Sequence, residues 1–228
     1  MKTFAIVLSA GNSTRFGGDT KKQFFELHNK PVLFYSINAF DRSKHIDEII
    51  VVTNKNDIEY VKELIFKYNF SKVKTVIAGG EYRQESVKNG LDQIKEDGYV
   101  LIHDSARPLV DDEIIQDLVN ALKDYDGVVP ALNVVDTIVR SENGELNSFE
   151  NRENLFLIQT PQAFRLSVIK EAHKKFAGLN ATDDSRLLVQ MNKKVKLIKG
   201  KEKLRKITRL EDTNAIEAYI EKDEYLQN

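Results

Sequence analysis

The residues best suited to chemistry in this sequence form a loop rich in small side chains and cations. Residues 8–23 read LSAGNSTRFGGDTKKQ, and the apolar run at 4–8 that leads into them has the length of a buried strand. Small residues let backbone N–H groups approach an anion closely, while Arg15, Lys21 and Lys22 supply positive charge. Because open α/β sheets bind ligands at the carboxyl ends of their strands, we predict that this loop wraps a nucleoside triphosphate.

The alternative for this loop is a flexible connection between a strand and a helix, with cations that are only solvated. Two better-known phosphate loops do not fit. The Walker pattern needs Gly-Lys followed by Ser or Thr, whereas Asp19 follows Gly17 and Gly18. The dinucleotide fingerprint needs a second glycine two positions after Gly11, where Ser13 stands. The spacing favours a phosphate loop of another kind.

Composition limits the class of protein and its partners. The chain has 228 residues, of which 41% are hydrophobic and 30% charged, enough for one well-packed α/β domain. A net charge of −1 predicts no nucleic-acid or membrane partner, so any anion site must be local. The absence of cysteine excludes disulfides, thiolate metal sites and cysteine nucleophiles. Without an apolar run of about 18 residues or a signal-peptide pattern, we expect a cytoplasmic protein.

Strand-like runs alternate with amphipathic helical patterns through most of the chain. Short apolar runs predict strands at 49–53, 73–77, 99–102 and 127–132, and helical apolar spacing separates most of them. The alternation predicts a Rossmann-like, mostly parallel twisted sheet with helices on both faces.

The pattern changes after residue 132. Asn143–Gly144 is a turn signal between extended segments at 134–139 and 147–159, with no helix between them. Such an arm has no core of its own and needs a partner surface, most simply a second subunit. We therefore predict one domain over residues 1–228, with a β-arm at about 133–158 used for dimerisation.

Polar clusters follow several predicted strands, and a parallel sheet would bring them to one crevice. Asp104 emerges from a buried strand, where a carboxylate can hold a metal through water, accept a ribose hydroxyl or cap the next segment. The clusters are Arg15 with Lys22, residues 80–83, residues 103–107, Asp136 with Thr137, and Lys206.

None of the four histidines has a neighbour at the spacing of a catalytic triad or a metal site. We interpret His28, His45 and His173 as surface or interface residues. His103 is interpreted as a packing residue beneath the crevice.

Seven motifs, in order, resemble the 2-C-methyl-D-erythritol 4-phosphate cytidylyltransferases of the non-mevalonate isoprenoid pathway. The related ribitol-5-phosphate cytidylyltransferases share most of this pattern, but HDSARP and the later TDD look more like the erythritol enzymes. The resemblance implies a fold of the nucleotide-diphospho-sugar transferase type. The motifs are LSAGNSTRFGGDTKKQF at 8–24, GGEYRQESV at 79–87, IHDSARP at 102–108, DT at 136–137, TPQ at 160–162, TDD at 182–184 and KIT at 206–208.

The resemblance assigns roles to individual side chains. Arg15 and Lys22 match the catalytic cations on the triphosphate. Arg152 and Lys206 match the pair that positions the phosphate of the second substrate, with Arg152 expected from a neighbouring subunit. The remaining matches are Ala10, Gly11, Gly80, Glu81, Arg83, Ser86 and Ser105 around the nucleotide, and Asp104, Arg107, Thr137 and Thr182 around the ribose, the metal ion and the substrate hydroxyls.

Four positions depart from the family pattern. Lys21 stands where the family usually has proline, and Ser13 stands where glycine is frequent. Leu204–Arg205 replaces the usual Asn-Ile before Lys206. These departures concern the conformation of the first loop and the role of Lys206, while the cationic positions are kept.

The expected chemistry needs cations and no protein base. A phosphate monoester with a second pKa near ~6 is already mostly a dianion at neutral pH. We predict a homodimeric, Mg²⁺-dependent enzyme that joins CTP to 2-C-methyl-D-erythritol 4-phosphate and releases pyrophosphate, with Asp104 as the candidate metal ligand. The alternatives are the same reaction on ribitol 5-phosphate, a nucleotide-binding module without catalysis, and a sugar-1-phosphate nucleotidyltransferase that uses another base.

Overall fold

A central sheet organises the chain, and the residues of the predicted site follow its strands. The structure is a computed structural model that describes residues 1–14, 16–17 and 20–222. The strands are β1 (Lys2–Ser9), β2 (Glu26–Leu27), β3 (Lys30–Pro31), β4 (Glu48–Thr53), β5 (Val73–Ala78), β6 (Gly98–Asp104), β7 (Gly127–Asn133), β8 (Val139–Glu142), β9 (Glu145–Phe149), β10 (Phe156–Ile158), β11 (Gln162–Arg165) and β12 (Val195–Lys199). The α-helices are α1 (Val32–Arg42), α2 (Ile58–Lys67), α3 (Arg83–Gln93), α4 (Asp112–Ala121), α5 (Leu166–Lys175), α6 (Ser185–Gln190) and α7 (Asp212–Lys222).

The main sheet is mixed and mostly parallel, as predicted. Among the described residues it has eight strands in the order β10-β7-β11-β6-β1-β4-β5, with β12 paired to β7. The pairs β6-β1, β1-β4, β4-β5 and β7-β12 are parallel. The strands β10 and β11 run antiparallel to their neighbours. The carboxyl ends of β1, β4, β5 and β6 therefore share one edge of the sheet.

Both faces of the sheet are covered by helices, which explains why its central strands are apolar at nearly every position. Along β1, Ala5 and Val7 pack into a core with α1, α2, α4 and α7. Phe4 and Ile6 point to the opposite core, which contains α3, α5 and α6. Among the helices of the described chain, none is both long and apolar enough to span a bilayer.

A glycine allows α3 to lie close to the sheet. A Cβ atom added at Gly90 would stand 2.9 Å from Cγ2 of Ile6 and 3.3 Å from Cγ2 of Val52. Both neighbours are buried strand residues that cannot easily move. This close packing holds the first turn of α3, with Arg83 and Ser86, beside the ends of β1 and β6.

The predicted hairpin around Asn143–Gly144 is present and projects from the main sheet. The strands β8 and β9 pair only with each other in the described residues, with Glu142 opposite Glu145. Asn143 has φ 53° and Gly144 has φ 84°, the positive values that a two-residue type I′ turn requires. Every residue of β8 and β9 is exposed, including Leu146 and Phe149. The arm thus presents apolar surface without a core of its own.

Candidate active site

The ends of β1 and β6, the loop before α3 and the segment after β12 surround one cleft of about 220 Å³. Lys22 and Lys206, which are far apart in sequence, line the same cleft. Residues 8–11 come directly from β1, and Asp104 is the last residue of β6. The predicted site residues that line the cleft are Ala10, Gly11, Lys22, Gly80, Glu81, Arg83, Ser86, Asp104, Ser105 and Lys206.

The loop after β1 is held by a hydrogen-bond network centred on Gln23. The Gln23 amide Nε2 donates to the carbonyl oxygens of Ser9 at 3.0 Å and Gly11 at 3.2 Å. Ser13 Oγ donates to Gln23 Oε1 and accepts from the backbone N–H of Lys22, both at 3.0 Å. Ser13 adopts φ 56°, the left-handed region that favours glycine. Ser13, which stands where the family often has glycine, therefore holds the backbone of Lys22.

The loop before α3 approaches the first loop through glycine. A Cβ atom at Gly79 would stand only 2.6 Å from Cβ of Ala10, so a side chain there would separate the two loops. The N–H of Gly80 donates to Ser86 Oγ at 3.1 Å, and the N–H of Glu81 donates to Glu85 Oε2 at 2.8 Å. These bonds fix backbone and side-chain polar groups along one wall of the cleft.

Asp104 joins the cations of the cleft. Its carboxylate accepts a hydrogen bond from Arg83 Nε at 3.2 Å and another from Lys206 Nζ at 2.6 Å. Burial alone would raise the pKa of Asp104, but the charges of Arg83 and Lys206 outweigh it and hold that pKa well below its usual value. The ionised carboxylate therefore fixes two cations that are far apart in the sequence.

Behind the cleft, Arg83 is held by a second carboxylate, that of Asp184, to which the sequence had assigned no role. Arg83 Nη1 donates to Asp184 Oδ2 at 2.6 Å, and Asp184 Oδ1 lies 3.0 Å from His173 Nε2. The interpretation of His173 as a surface or interface residue is wrong, since only 2% of its side chain is exposed in its own chain. Its position on the inner side of α5, where a polar ring is matched by Asp184, explains the error. The TDD motif was the only sequence signal for this carboxylate.

Arg107 lies beside the main cleft and braces the segment that carries Lys206. Its Nη1 donates to the carbonyl oxygen of Leu204 at 2.7 Å, and the N–H of Ile207 donates to the carbonyl oxygen of Ala106 at 2.8 Å. Arg107 and Lys206 also line an adjoining concavity of about 590 Å³. Lys206 therefore stands between two neighbouring spaces that can each receive a ligand.

Three predicted site residues of the described chain line neither this cleft nor the adjoining concavity. Thr137 and Arg152 are exposed on the arm, and Arg152 Nη1 donates to the carbonyl oxygen of Val135 at 2.6 Å. Thr182 is exposed just before the acidic pair that faces Arg83 and Gln162. Arg15 lies outside the described residues.

His103 is a packing residue beneath the cleft, as predicted. It is fully buried against Phe40, its Nε2 lies 3.0 Å from the carbonyl oxygen of Arg107, and its Nδ1 lies 3.1 Å from Thr160 Oγ1. The network assigns the tautomer in which Nε2 donates to the carbonyl and Nδ1 accepts from the hydroxyl. Burial lowers the pKa of His103 to about 3, so the ring is neutral at physiological pH.

The residues of the cleft fit a hard divalent ion only if phosphate and water supply most of its ligands. Asp104 is an ionised carboxylate at the end of a strand, which suits Mg²⁺. Within residues 1–14, 16–17 and 20–222, no three side chains of His, Asp or Glu cluster as a dedicated metal site. The protein could therefore contribute Asp104, with the remaining ligands coming from a bound nucleotide.

The fold and the cleft define the class of this protein. A mostly parallel sheet, a loop of small residues after β1 and cations across the strand ends are the features of an α/β protein of the nucleotidyltransferase type.

Comparisons with known proteins identify the family. Residues 3–222 match the family model described as IspD: 2-C-methyl-D-erythritol 4-phosphate cytidylyltransferase. The chain is 39% identical to the 2-C-methyl-D-erythritol 4-phosphate cytidylyltransferase of Clostridium acetobutylicum, over 96% of this chain and 97% of that protein. The chain belongs to this family.

Solved structures agree with that assignment. The 4-diphosphocytidyl-2C-methyl-D-erythritol synthase of Anaerococcus prevotii superimposes with a TM-score of 0.84 at 29% identity, over 96% of each chain. The bifunctional IspDF of Campylobacter jejuni superimposes with a TM-score of 0.80 at 34% identity. That match covers 94% of this chain and 54% of the longer bifunctional chain.

The neutral state of His103 predicts a specific dependence of stability on pH. The unfolded chain protonates this imidazole below its ordinary pKa of 6.5, whereas the folded protein does so only near 3. The free energy of unfolding should therefore fall as the pH is lowered from 6.5 to 5, and His103 should account for about 1.6 kcal/mol of that loss.

Urea unfolding at both pH values measures this contribution. The variant His103→Gln should lose about 1.6 kcal/mol less than the wild type over the same interval. His28→Gln, at an exposed position, is the matched control. Equal pH dependence in His103→Gln and His28→Gln would contradict the assignment.

Proposed function

We propose that this protein transfers the cytidylyl group of CTP to 2-C-methyl-D-erythritol 4-phosphate, forming 4-diphosphocytidyl-2-C-methyl-D-erythritol and pyrophosphate in isoprenoid precursor biosynthesis. The observation that carries the proposal is the meeting of Lys22, Arg83 and Lys206 at one cleft. Membership of the cytidylyltransferase family supports the substrates and favours 2-C-methyl-D-erythritol 4-phosphate over ribitol 5-phosphate.

The reaction is a displacement at the α-phosphorus of CTP. An oxygen of the substrate's phosphate forms a bond to that phosphorus while the bond to the departing pyrophosphate breaks. The nucleophile is already a dianion, so no proton has to be removed. His103, which directly precedes Asp104, has both ring nitrogens engaged with Arg107 and Thr160 and does not serve as a base.

The protein contributes charge and position. Two polyanions repel each other, and negative charge moves onto pyrophosphate as the reaction proceeds. Lys22, which lines the cleft, is assigned to stabilise that charge on the triphosphate. The family resemblance gives Arg15 the same role. Fixed cations act strongly here because they need not reorganise during the reaction. Holding both phosphates in line supplies a further part of the rate enhancement.

We assign the walls of the cleft to the two substrates. The nucleotide is assigned to the backbone of Ala10 and Gly11 and to the loop at 80–86, whose N–H groups bond to Ser86 and Glu85. The concavity beside Lys206 and Arg107 suits the polyol phosphate, because it adjoins the cleft and shares Lys206 with it.

We also propose that the active enzyme is a homodimer in which the arm completes the neighbouring site. Thr137 and Arg152 lie on the arm and away from the cleft of their own chain. The apolar side chains of Leu146 and Phe149 are exposed there and suit contact with a second copy. Arg152 would then reach the phosphate of the polyol substrate across the interface.

Mg²⁺ is proposed as the cofactor, with Asp104 as its protein ligand. When bound, this ion would neutralise the phosphates of CTP and polarise the bond to the leaving group. Asp104 currently holds Lys206, so that lysine would turn its charge toward the substrate phosphate when the carboxylate engages a metal.

A substrate panel tests the proposed function. Purified protein with Mg²⁺ should release pyrophosphate from CTP and 2-C-methyl-D-erythritol 4-phosphate, and chelation of the metal should stop release. UTP and ATP replace CTP in parallel reactions, and ribitol 5-phosphate replaces the acceptor. Turnover of ribitol 5-phosphate alone would contradict the acceptor, and binding of CTP without turnover would indicate a nucleotide-binding module.

Replacing Lys22 tests the charge at the triphosphate. The variant Lys22→Ala should reduce kcat at least a hundredfold, corresponding to about 3 kcal/mol of lost transition-state stabilisation. Lys199→Ala, which removes an exposed lysine on β12, is the control and should retain wild-type kcat. Wild-type turnover by Lys22→Ala would exclude the proposed role.

The same inactive variant tests whether Arg152 serves the opposite subunit. Heterodimers of Lys22→Ala and Arg152→Ala contain one site with both native residues if Arg152 crosses the interface. They should therefore recover part of the wild-type activity, whereas each homodimeric variant is inactive. Verified heterodimers without recovered activity would show that Arg152 does not act across an interface.

A further inference from the structure

Lys21 forms an ion pair that ties the first loop to a distant part of the fold. Its Nζ lies 2.7 Å from Oδ1 and 2.6 Å from Oδ2 of Asp57, so it engages both carboxylate oxygens. The Asp57 side chain is 13% exposed and that of Lys21 is 34% exposed. Asp57 directly precedes α2, beyond the end of β4. The contact therefore joins the first loop, which lines the cleft, to the start of α2, which does not.

The backbone of Lys21 begins the turn that carries Lys22. The carbonyl oxygen of Lys21 accepts hydrogen bonds from the N–H of Phe24 at 2.9 Å and of Phe25 at 3.1 Å. These bonds close a 3₁₀ turn over Lys22–Phe24, for which Lys21 is the N-cap. A constraint on the position of Lys21 is passed directly to this turn.

The turn is thus fixed from two sides. On the cleft side, the N–H of Lys22 donates to Ser13 Oγ. On the other side, the neighbouring residue is held by Asp57. The two neighbours of Lys22, Lys21 and Gln23, are therefore both held by side-chain contacts. These contacts matter because the loop from Gly11 to Lys21 contains no helix or strand among its described residues.

We propose that the Lys21–Asp57 ion pair is a positioning latch for Lys22. This inference rests on the proposed function and adds a positioning residue, Lys21, to the catalytic Lys22. The latch acts by restricting where the Lys22 backbone can stand. An ion pair at this exposure contributes little to global stability, whereas a misplacement of about 1 Å in a catalytic group can cost a hundredfold in rate.

The backbone at Lys21 offers a way to separate position from charge. Lys21 has φ −62° and ψ 136°, and the ring of proline fixes φ near −65°. Proline at this position would restrict the same backbone without an ion pair. A latch that works through position can therefore be replaced by proline, whereas one that works through the charge of Lys21 cannot.

Single variants test the ion pair. Lys21→Ala and Asp57→Asn should each lower kcat about tenfold, with KM for CTP within about twofold of wild type and Tm within about 3 °C. The double variant should be no slower than either single variant, because both remove the same contact. Lys62→Ala, which breaks the exposed ion pair with Glu59 on α2, is the control and should leave kcat unchanged.

Proline provides the rescue. Lys21→Pro should recover kcat to within about twofold of wild type, and adding Asp57→Asn to it should cause no further loss. Unchanged kcat in Lys21→Ala or in Asp57→Asn would overturn the proposal, as would Lys21→Pro being as slow as Lys21→Ala. A wild-type protein that does not turn over CTP would instead contradict the proposed function, so the two failures are distinguishable.

Discussion

The ionised carboxylate of Asp104 is the interaction on which the site depends. Arg83 begins α3 and Lys206 follows β12, so nothing in the local sequence brings these cations together. Two positive charges at the edge of a cleft repel each other, and long side chains lose rotamer freedom when they are fixed. Asp104 offsets both costs by accepting a hydrogen bond from each cation at the end of β6. The cations are therefore in place before any phosphate arrives.

The surroundings of Asp104 keep this arrangement rigid. On the side away from the cleft, Arg83 donates a hydrogen bond to Asp184 Oδ2, and Asp184 Oδ1 contacts His173 Nε2. Burial alone would raise the pKa of Asp184, but the charge of Arg83 outweighs it and lowers that pKa. The N–H of Asp104 donates to Thr160 Oγ1, which in turn reaches His103. From the interior to the cleft, negative and positive side chains therefore alternate, and each lies next to one of opposite charge. They are Asp184, Arg83, Asp104 and Lys206.

The sequence predicted the features that depend on local pattern. The strand runs, the hairpin at Asn143–Gly144 and the buried position of His103 follow from apolar spacing and turn residues. The gathering of Lys22, Asp104 and Lys206 followed from the rule that parallel strands present their carboxyl ends at one edge. These predictions succeeded because they need only the direction of each strand.

The features that the sequence did not predict depend on pairs of residues far apart in the chain. The partners Arg83 and Asp184 are separated by 101 positions, and Lys21 and Asp57 by 36. The burial of His173 was missed because its partner, Asp184, comes from a different element. Arg107 lines the adjoining concavity, but its hydrogen bond to the Leu204 carbonyl joins residues 97 positions apart and was not predicted. Side-chain pairing of this kind is determined by packing and has no local signal.

The most direct test of the central claim is a ¹³C NMR titration of the Asp104 side-chain carboxyl in the ligand-free protein, assigned by comparison with Asp104→Asn. Between pH 6 and pH 3.5 the account predicts a carboxylate signal that does not shift toward the protonated form, because Arg83 and Lys206 hold the pKa below its ordinary value of 3.8. Half-protonation near pH 4 would contradict the account, since it would mean that Asp104 does not hold these cations together.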